Sequence, residues 1–288
     1  MFSRIVTATD FSVDAGNAVR RSALLARLHR IELELLHVVN QSSLDAVREW
    51  VREPTDFADR LFDDARSALQ EAAASTGVPS SARVELGDVL AEIAASCSQG
   101  RILVVGARGL NPLRDTILGT TAERLIGKWE CPILVVRKPP EGDYRNVVAA
   151  VDLLKGSGDV LATAAAIAPG ASLAAVHAYD VPFEGELRRA GVASQEIDQH
   201  RAAALQKALS DVRSLSANRG GEPGRFLPIV ERGYPARLIL KHGHAIGADL
   251  LVIGKRTRST VEALILGSTT RHVLADAGCD VLIVPLPR

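Results

Sequence analysis

The chain is written twice. Residues 118–136, LGTTAERLIGKWECPILVV, align without a gap on residues 266–284, LGSTTRHVLADAGCDVLIV. Upstream, Arg4–Asp10 (RIVTATD) matches Asn146–Asp152 (NVVAAVD), and Leu35–Val39 (LLHVV) matches Ala175–Tyr179 (AVHAY). Gly87 matches Gly233, and Gly106 matches Gly254, while the offset between landmarks drifts only from 140 to 148 residues. Order and spacing kept over so many landmarks mark a tandem duplication, so whatever one half folds into, the other must fold into as well. The expected domains are 1–138 and 144–288, joined at Lys138-Pro139-Pro140-Glu141-Gly142-Asp143, a stretch rich in Pro, Gly and charge.

Within each half, short apolar runs alternate with segments of helical period. In the first, Ile5–Thr9, Glu32–Val39, Ser81–Leu86, Ile102–Val105 and Ile133–Val136 read as strands. Ala15–Leu28, Phe57–Ser75, Val89–Cys97 and Thr121–Lys128 read as helices; Leu61, Phe62, Ala65, Leu69 and Ala72 share one face of the second. The second half repeats the scheme, with its long helix around Ser194–Ser216. Regular βα alternation predicts an α/β fold with a doubly wound parallel sheet in each half. Runs as apolar as these suit strands covered on both faces. Ligands of such sheets sit at the carboxyl ends of the strands, where strand order reverses.

The polar chemistry lies at those ends. In the first half an apolar run opens into Gly106-Ala107-Arg108-Gly109, and nine residues later comes Gly119-Thr120-Thr121. In the second, Gly254-Lys255-Arg256-Thr257 is followed after nine residues by Gly267-Ser268-Thr269. A strand ending in a glycine-rich turn, with Gly-Thr or Gly-Ser opening a helix, suits an anion, because backbone N–H groups and the helix dipole both favour negative charge there. Gly109 is expected to permit positive φ and close backbone approach, which Thr257 as a β-branched residue suits poorly. Asp10 and Asp152 close the first strand of each half, as ligand contacts or as helix N-caps. Lys255-Arg256-Thr257-Arg258 reads equally as a phosphate clamp or a solvated loop.

Other residues read as structural. His37 and His177 recur at the end of a strand, as hydrogen-bonded structural groups rather than catalytic bases, and no Ser or Cys pairs with either for nucleophilic catalysis. No catalytic residue and no metal-ligand cluster is assigned. Cys97, Cys131 and Cys279 are widely spaced, without a CxxC pair, and read as small core residues. Lys+Arg and Asp+Glu both total 34, a balance that argues against non-specific nucleic-acid binding. No apolar run reaches the roughly 18–20 residues that span a bilayer, and Met1–Val6 has no signal-peptide pattern. The expectation is a cytoplasmic protein acting without membrane or nucleic acid.

The pattern G-x-x-G-x9-G-[ST] after an apolar strand, Asp10-Phe11-Ser12 closing the first strand, and the Cys131–Val136 strand CPILVV together resemble the universal stress protein family. The resemblance covers nearly the whole chain, twice, as in the tandem members. It implies two five-stranded parallel sheets of order 3-2-1-4-5, adenine-nucleotide alpha-hydrolase-like. Many members bind ATP; others lack the glycine pattern and do not. By this resemblance Asp10 would hold the adenine or ribose region, Val38 would line the adenine pocket, Gly106, Arg108 and Gly109 would wrap ribose and phosphates, and Gly119, Thr120 and Thr121 would hold the phosphate tail, with Mg²⁺ as a candidate companion. Asp152, Gly254, Gly267, Ser268 and Thr269 form the weaker counterpart, because Thr257 replaces the second glycine and Leu154 the serine of Asp-x-Ser.

Three functions fit. One is an ATP-binding stress-response or regulatory protein, with nucleotide mainly in the N-terminal half and an unidentified regulatory partner. Another is a slow ATPase. The third is a nucleotide-independent interaction module with another ligand in the C-terminal half. In single-domain members two copies pair through the last strand, so Ile133–Val136 and Val281–Val284 are expected to pair within one chain as a pseudo-dimer, with a further homodimer open.

Overall fold

The computed structural model describes residues 2–42, 44–45, 57–96, 100–109, 124–126, 131–181, 183–219, 224–256 and 267–286. The chain divides into two compact units. The first holds Met1–Asp143 together with Gly278–Pro285; the second holds Tyr144–Arg256 and Gly267–Ala277, with Leu286.

In the first unit, strands β1 (Arg4–Ala8), β2 (Glu32–Asn40), β3 (Ser80–Gly87), β4 (Arg101–Gly106) and β5 (Ile133–Val136) alternate with helices α1 (Val13–His29), α2 (Phe57–Ser75) and α3 (Val89–Ala95). The strands are parallel in the order β3-β2-β1-β4-β5, the expected 3-2-1-4-5. Ile5, Val6, Leu33, Leu35, Leu36, Ile102, Leu103, Val104 and all four residues of β5 are buried. Runs covered on both faces explain why these strands read as continuous apolar segments rather than alternating ones.

The helix boundaries follow from capping. Ser12 starts α1 from extended backbone, its Oγ accepting from Ala15 N at 3.2 Å, and Arg30 ends it in the left-handed region (φ 53°). Asp88 caps α3 through Ala91 N at 2.9 Å.

The second unit repeats the plan with β6 (Asn146–Ala150), α4 (Ser157–Ile167), β7 (Ser172–Tyr179), a short α5 (Glu184–Arg189), α6 (Ser194–Arg219), β8 (Phe226–Arg232), α7 (Pro235–Ala245), β9 (Leu250–Arg256) and α8 (Ser268–Asp276). Its parallel order is β8-β7-β6-β9. The short α5 was not anticipated. It is held by Glu184, a buried carboxylate that receives Arg188, Arg201 and Arg232; Arg201 first and then Arg232 push its pKa down to about 2.

The closing strand of the second repeat is β10 (Asp280–Leu286). It runs antiparallel along β5, pairing Val281 with Val135, Leu282 with Leu134 and Ile283 with Ile133, and so belongs to the first unit. The pairing of the two closing strands is therefore present, and the described strands fall six to four between the units. A buried ion pair fastens the added strand. Asp280, 3% exposed, accepts from Arg21 Nε at 3.3 Å and from the Arg137 N–H at 2.9 Å. Arg21 Nη1 also donates to the Gly142 carbonyl at 2.6 Å. In the first repeat the position of Asp280 is Pro132, which has no carboxylate to offer.

Candidate functional site at the strand carboxyl ends

β1 and β4 are neighbours, with Thr7 opposite Val104, so the segments leaving them meet above the sheet. Asp10 follows β1 and folds back on itself: Oδ1 accepts from Ser12 N at 3.0 Å. This turn puts Phe11 in the left-handed region at φ 63°, a rare conformation for a bulky residue. The Phe11 ring, 41% exposed, lies 4.6 Å from the His37 ring at the end of β2, tilted by 35°. His37 Nδ1 stands 2.8 Å from the Thr9 carbonyl. A carbonyl only accepts, so Nδ1 carries the proton, and His37 ties the end of β2 to the end of β1.

The glycines of the first phrase are required by contact. A Cβ on Gly106 would sit 2.7 Å from Asp14 C and 2.8 Å from Ala15 N, inside the backbone of the first turn of α1. A Cβ on Gly109 would sit 2.6 Å from Asp10 Oδ2. Gly109 is not among the residues with positive φ, which corrects the expectation that its backbone conformation is what matters. Its absent side chain leaves space for the Asp10 carboxylate; the left-handed residue of the site is Phe11. Ser12 Oγ reaches the Arg108 carbonyl at 3.4 Å, completing a contact between the two loops.

Arg108 is exposed. Sequence reasoning missed its neighbour Arg137, the residue after β5. Burial, and after it the proximity of Arg108, push the Arg137 guanidinium below its ordinary value. Cys279, Asp280 and Asp14 act on it in the opposite direction, so this guanidinium stands among charges of both signs. Val38 is half-buried near the end of β2. Gly119, Thr120 and Thr121 lie outside the described residues, as does Cys97.

The second repeat builds the same turn and ends it differently. Asp152 Oδ1 accepts from Leu154 N at 3.0 Å, Leu153 takes φ 61°, and His177 Nδ1 stands 2.9 Å from the Val151 carbonyl. Neither aspartate caps a helix: Ser12 and Gly156 hold those places. Asp152 also accepts from Ser157 Oγ at 2.6 Å and is gripped by Arg256, Nε to Oδ2 at 3.1 Å and Nη2 to Oδ1 at 3.0 Å. Partial burial raises its pKa, but the hydrogen bonds from Arg256, Ser157 and Leu154 outweigh that and hold the carboxyl below the ordinary Asp value. Lys255 is 5% exposed, and burial lowers its pKa. These two cations form neither an open clamp nor a solvated loop; Arg258 lies outside the described residues.

Gly254 also lacks room for a Cβ, but here the obstacles are side chains, Leu286 Cδ1 at 2.6 Å and Val160 Cγ2 at 3.1 Å. Gly267 precedes α8 with open space around it, Ser268 is exposed at the first turn, and Thr269 is half-buried beside it. Among the described residues no group of three or more His, Cys, Asp or Glu could hold a metal ion, and no helix is long and apolar enough to cross a membrane.

Comparison with known proteins agrees with the doubled architecture. The model of the universal stress protein family matches twice, over residues 1–137 and 143–285. A universal stress protein of Mycolicibacterium smegmatis is 24% identical over 301 residues, covering 97% of this chain and 96% of its own. The universal stress protein YxiE of Bacillus subtilis is 28% identical over 151 residues, 48% of this chain and 100% of its own. Among solved structures, a universal stress protein from Archaeoglobus fulgidus superposes with a TM-score of 0.69 at 19% identity, covering 98% of each chain, and shares the fold. Two family matches that together span nearly the full sequence, on two repeats of one α/β plan, mean that this chain belongs to the universal stress protein family as a tandem member.

Proposed function

We propose that the chain is an ATP-binding regulatory protein of the stress response, with the nucleotide held at the strand carboxyl ends of the first repeat. The observation that carries this reading is the contact between Gly109 and Asp10, where a single added carbon would meet a carboxylate oxygen at 2.6 Å. A glycine kept bare lets the Asp10 carboxylate lie at the strand ends, where a ligand that brings hydrogen-bond donors would meet it. Adenine nucleotides bring them as ribose hydroxyls and the adenine amine. Arg108, exposed at the end of β4, would supply the opposite charge for the phosphates. Asp10, Val38, Gly106, Arg108 and Gly109 are the residues assigned to this role, with Gly119, Thr120 and Thr121 continuing it along the chain.

Mg²⁺ would accompany the phosphates through the hydroxyls of Thr120 or Thr121, and its part would be to neutralise phosphate charge. In this reading binding itself is the signal. To act as one, ATP must favour one of two states of the protein over the other. Equilibrium titration of ATP into the full chain and into Gly109→Val tests the reading. One site in the native chain, weakened at least about tenfold by the valine with an unchanged circular dichroism spectrum, is the expected result. An absence of ATP binding to the native chain, or equal affinity of the variant, overturns it.

A further inference from the structure

The strand-end site of the second repeat carries its own occupant. Four donors converge on the Asp152 carboxylate: Leu154 N, Ser157 Oγ, Arg256 Nη2 and Arg256 Nε, between 2.6 and 3.1 Å. Three of them fall on Oδ1, which has no lone pair left for another donor, and the Arg256 Nε bond takes one side of Oδ2. Ribose hydroxyls or an adenine amine would have to reach the same oxygens. Arg256 stands at the sequence position of Arg108, which is exposed in the first repeat. In the second, that guanidinium has turned back onto the aspartate as a bidentate fork, the strongest form of such a pair.

The surroundings agree. The counterpart of Arg137 is Pro285, so the second cation of the first site has no equivalent. The counterpart of Gly109 is Thr257, at a position where the first repeat has no space for a Cβ. Where Gly106 meets the backbone of α1, Gly254 meets the apolar ends of Leu286 and Val160.

We infer that Arg256 is an internal ligand of Asp152 and that this ion pair shuts the second repeat against adenine nucleotides, leaving one nucleotide per chain. The count of one rests on the reading of the first repeat given above; the closure of the second does not. A neutral hydroxyl that displaced Arg256 would exchange a charge-assisted double hydrogen bond for a weaker single one. Nucleotide entry is therefore unfavourable even where the cavity is large enough.

The experiment is an ATP titration of the full chain with stoichiometry, comparing the native protein with Arg256→Ala/Thr257→Gly. The expected result is one equivalent in the native chain and two in the variant. One equivalent in both overturns the closure and leaves the first-repeat reading standing. None in the native chain and one in the variant supports the closure and overturns the first-repeat reading. None in either, or two in the native chain, overturns the closure. Thermal unfolding checks that the variant is folded. If it is not, Arg256→Gln/Thr257→Gly, which keeps a neutral hydrogen-bonding side chain, takes its place with the same outcomes.

Discussion

Replacing Asp280 by alanine would break the fastening of β10 from one side. Asp280 and Arg21 are 3% and 6% exposed, so neither charge is well hydrated in the folded chain. The alanine removes the acceptor of Arg21 Nε at 3.3 Å and of the Arg137 N–H at 2.9 Å. It leaves a buried guanidinium whose remaining contacts include the Gly142 carbonyl at 2.6 Å. Removing one partner of a buried ion pair costs about 3–5 kcal/mol. The retained carbonyl contact argues for the lower end, about 3 kcal/mol. At 2–4 °C per kcal/mol for a folding unit of this order of size, the melting temperature should fall by roughly 6–12 °C. Urea unfolding and thermal scans measure both quantities.

The double variant Arg21→Met/Asp280→Leu separates the pair from the packing. Replacing both members of a buried pair by apolar groups of similar volume is often neutral or stabilising, so the double variant should recover most of what Asp280→Ala loses. A loss below about 1 kcal/mol for the alanine, or a double variant as unstable as the summed single changes, would refute the reasoning that the ion pair fastens this strand.

Two further outcomes follow from contacts already described. Gly106→Ala forces a Cβ against helix backbone at 2.7–2.9 Å, whereas Gly254→Ala meets the ends of Leu286 and Val160, which can rotate. The first should cost about 1–3 kcal/mol and the second less, read from urea midpoints; the opposite ranking would sink the distinction between the two glycines. Glu184 has its pKa pushed down from 4.5 to about 2 by Arg201 and Arg232, so its contribution to stability is complete above pH 4.5 and is lost as pH falls from 4.5 towards 2. Glu184→Gln should be less stable than the native chain at pH 7, with the gap closing across that window. A gap that does not depend on pH would assign the role of Glu184 to packing rather than charge.

The sequence makes legible what repeats locally. β4 and β5 of the first repeat stand out because they are apolar and covered on both faces, and β5 has the bounds that its apolar run predicts. Asp10 and Asp152 were marked by their position after a strand, and both build the same turn. What escaped notice depends on reach across the fold. Whether Arg256 points to solvent or turns back 104 residues onto Asp152 is a property of a long side chain and its distant partner. Arg137 belongs to no motif, and only the fold brings it within the influence of Arg108. Gly109 was singled out correctly as a residue that must lack a side chain, but for its backbone angle rather than for the carboxylate beside it. The left-handed turn fell instead on Phe11 and Leu153, whose bulk advertises nothing of the kind.

The strand that completes the first unit is the last of the described strands in chain order. During synthesis β5 emerges with its outer edge bare, and Val281–Ile283, which will cover it, follows only after every strand of the second unit has left the ribosome. A bare apolar edge of Ile133-Leu134-Val135-Val136 invites pairing with any strand nearby, including the same edge of a neighbouring nascent chain. Asp280 is the residue that such a wrong partner lacks, because a second β5 would present Pro132 to Arg21. One buried carboxylate thus distinguishes the late, correct strand from the early, incorrect one.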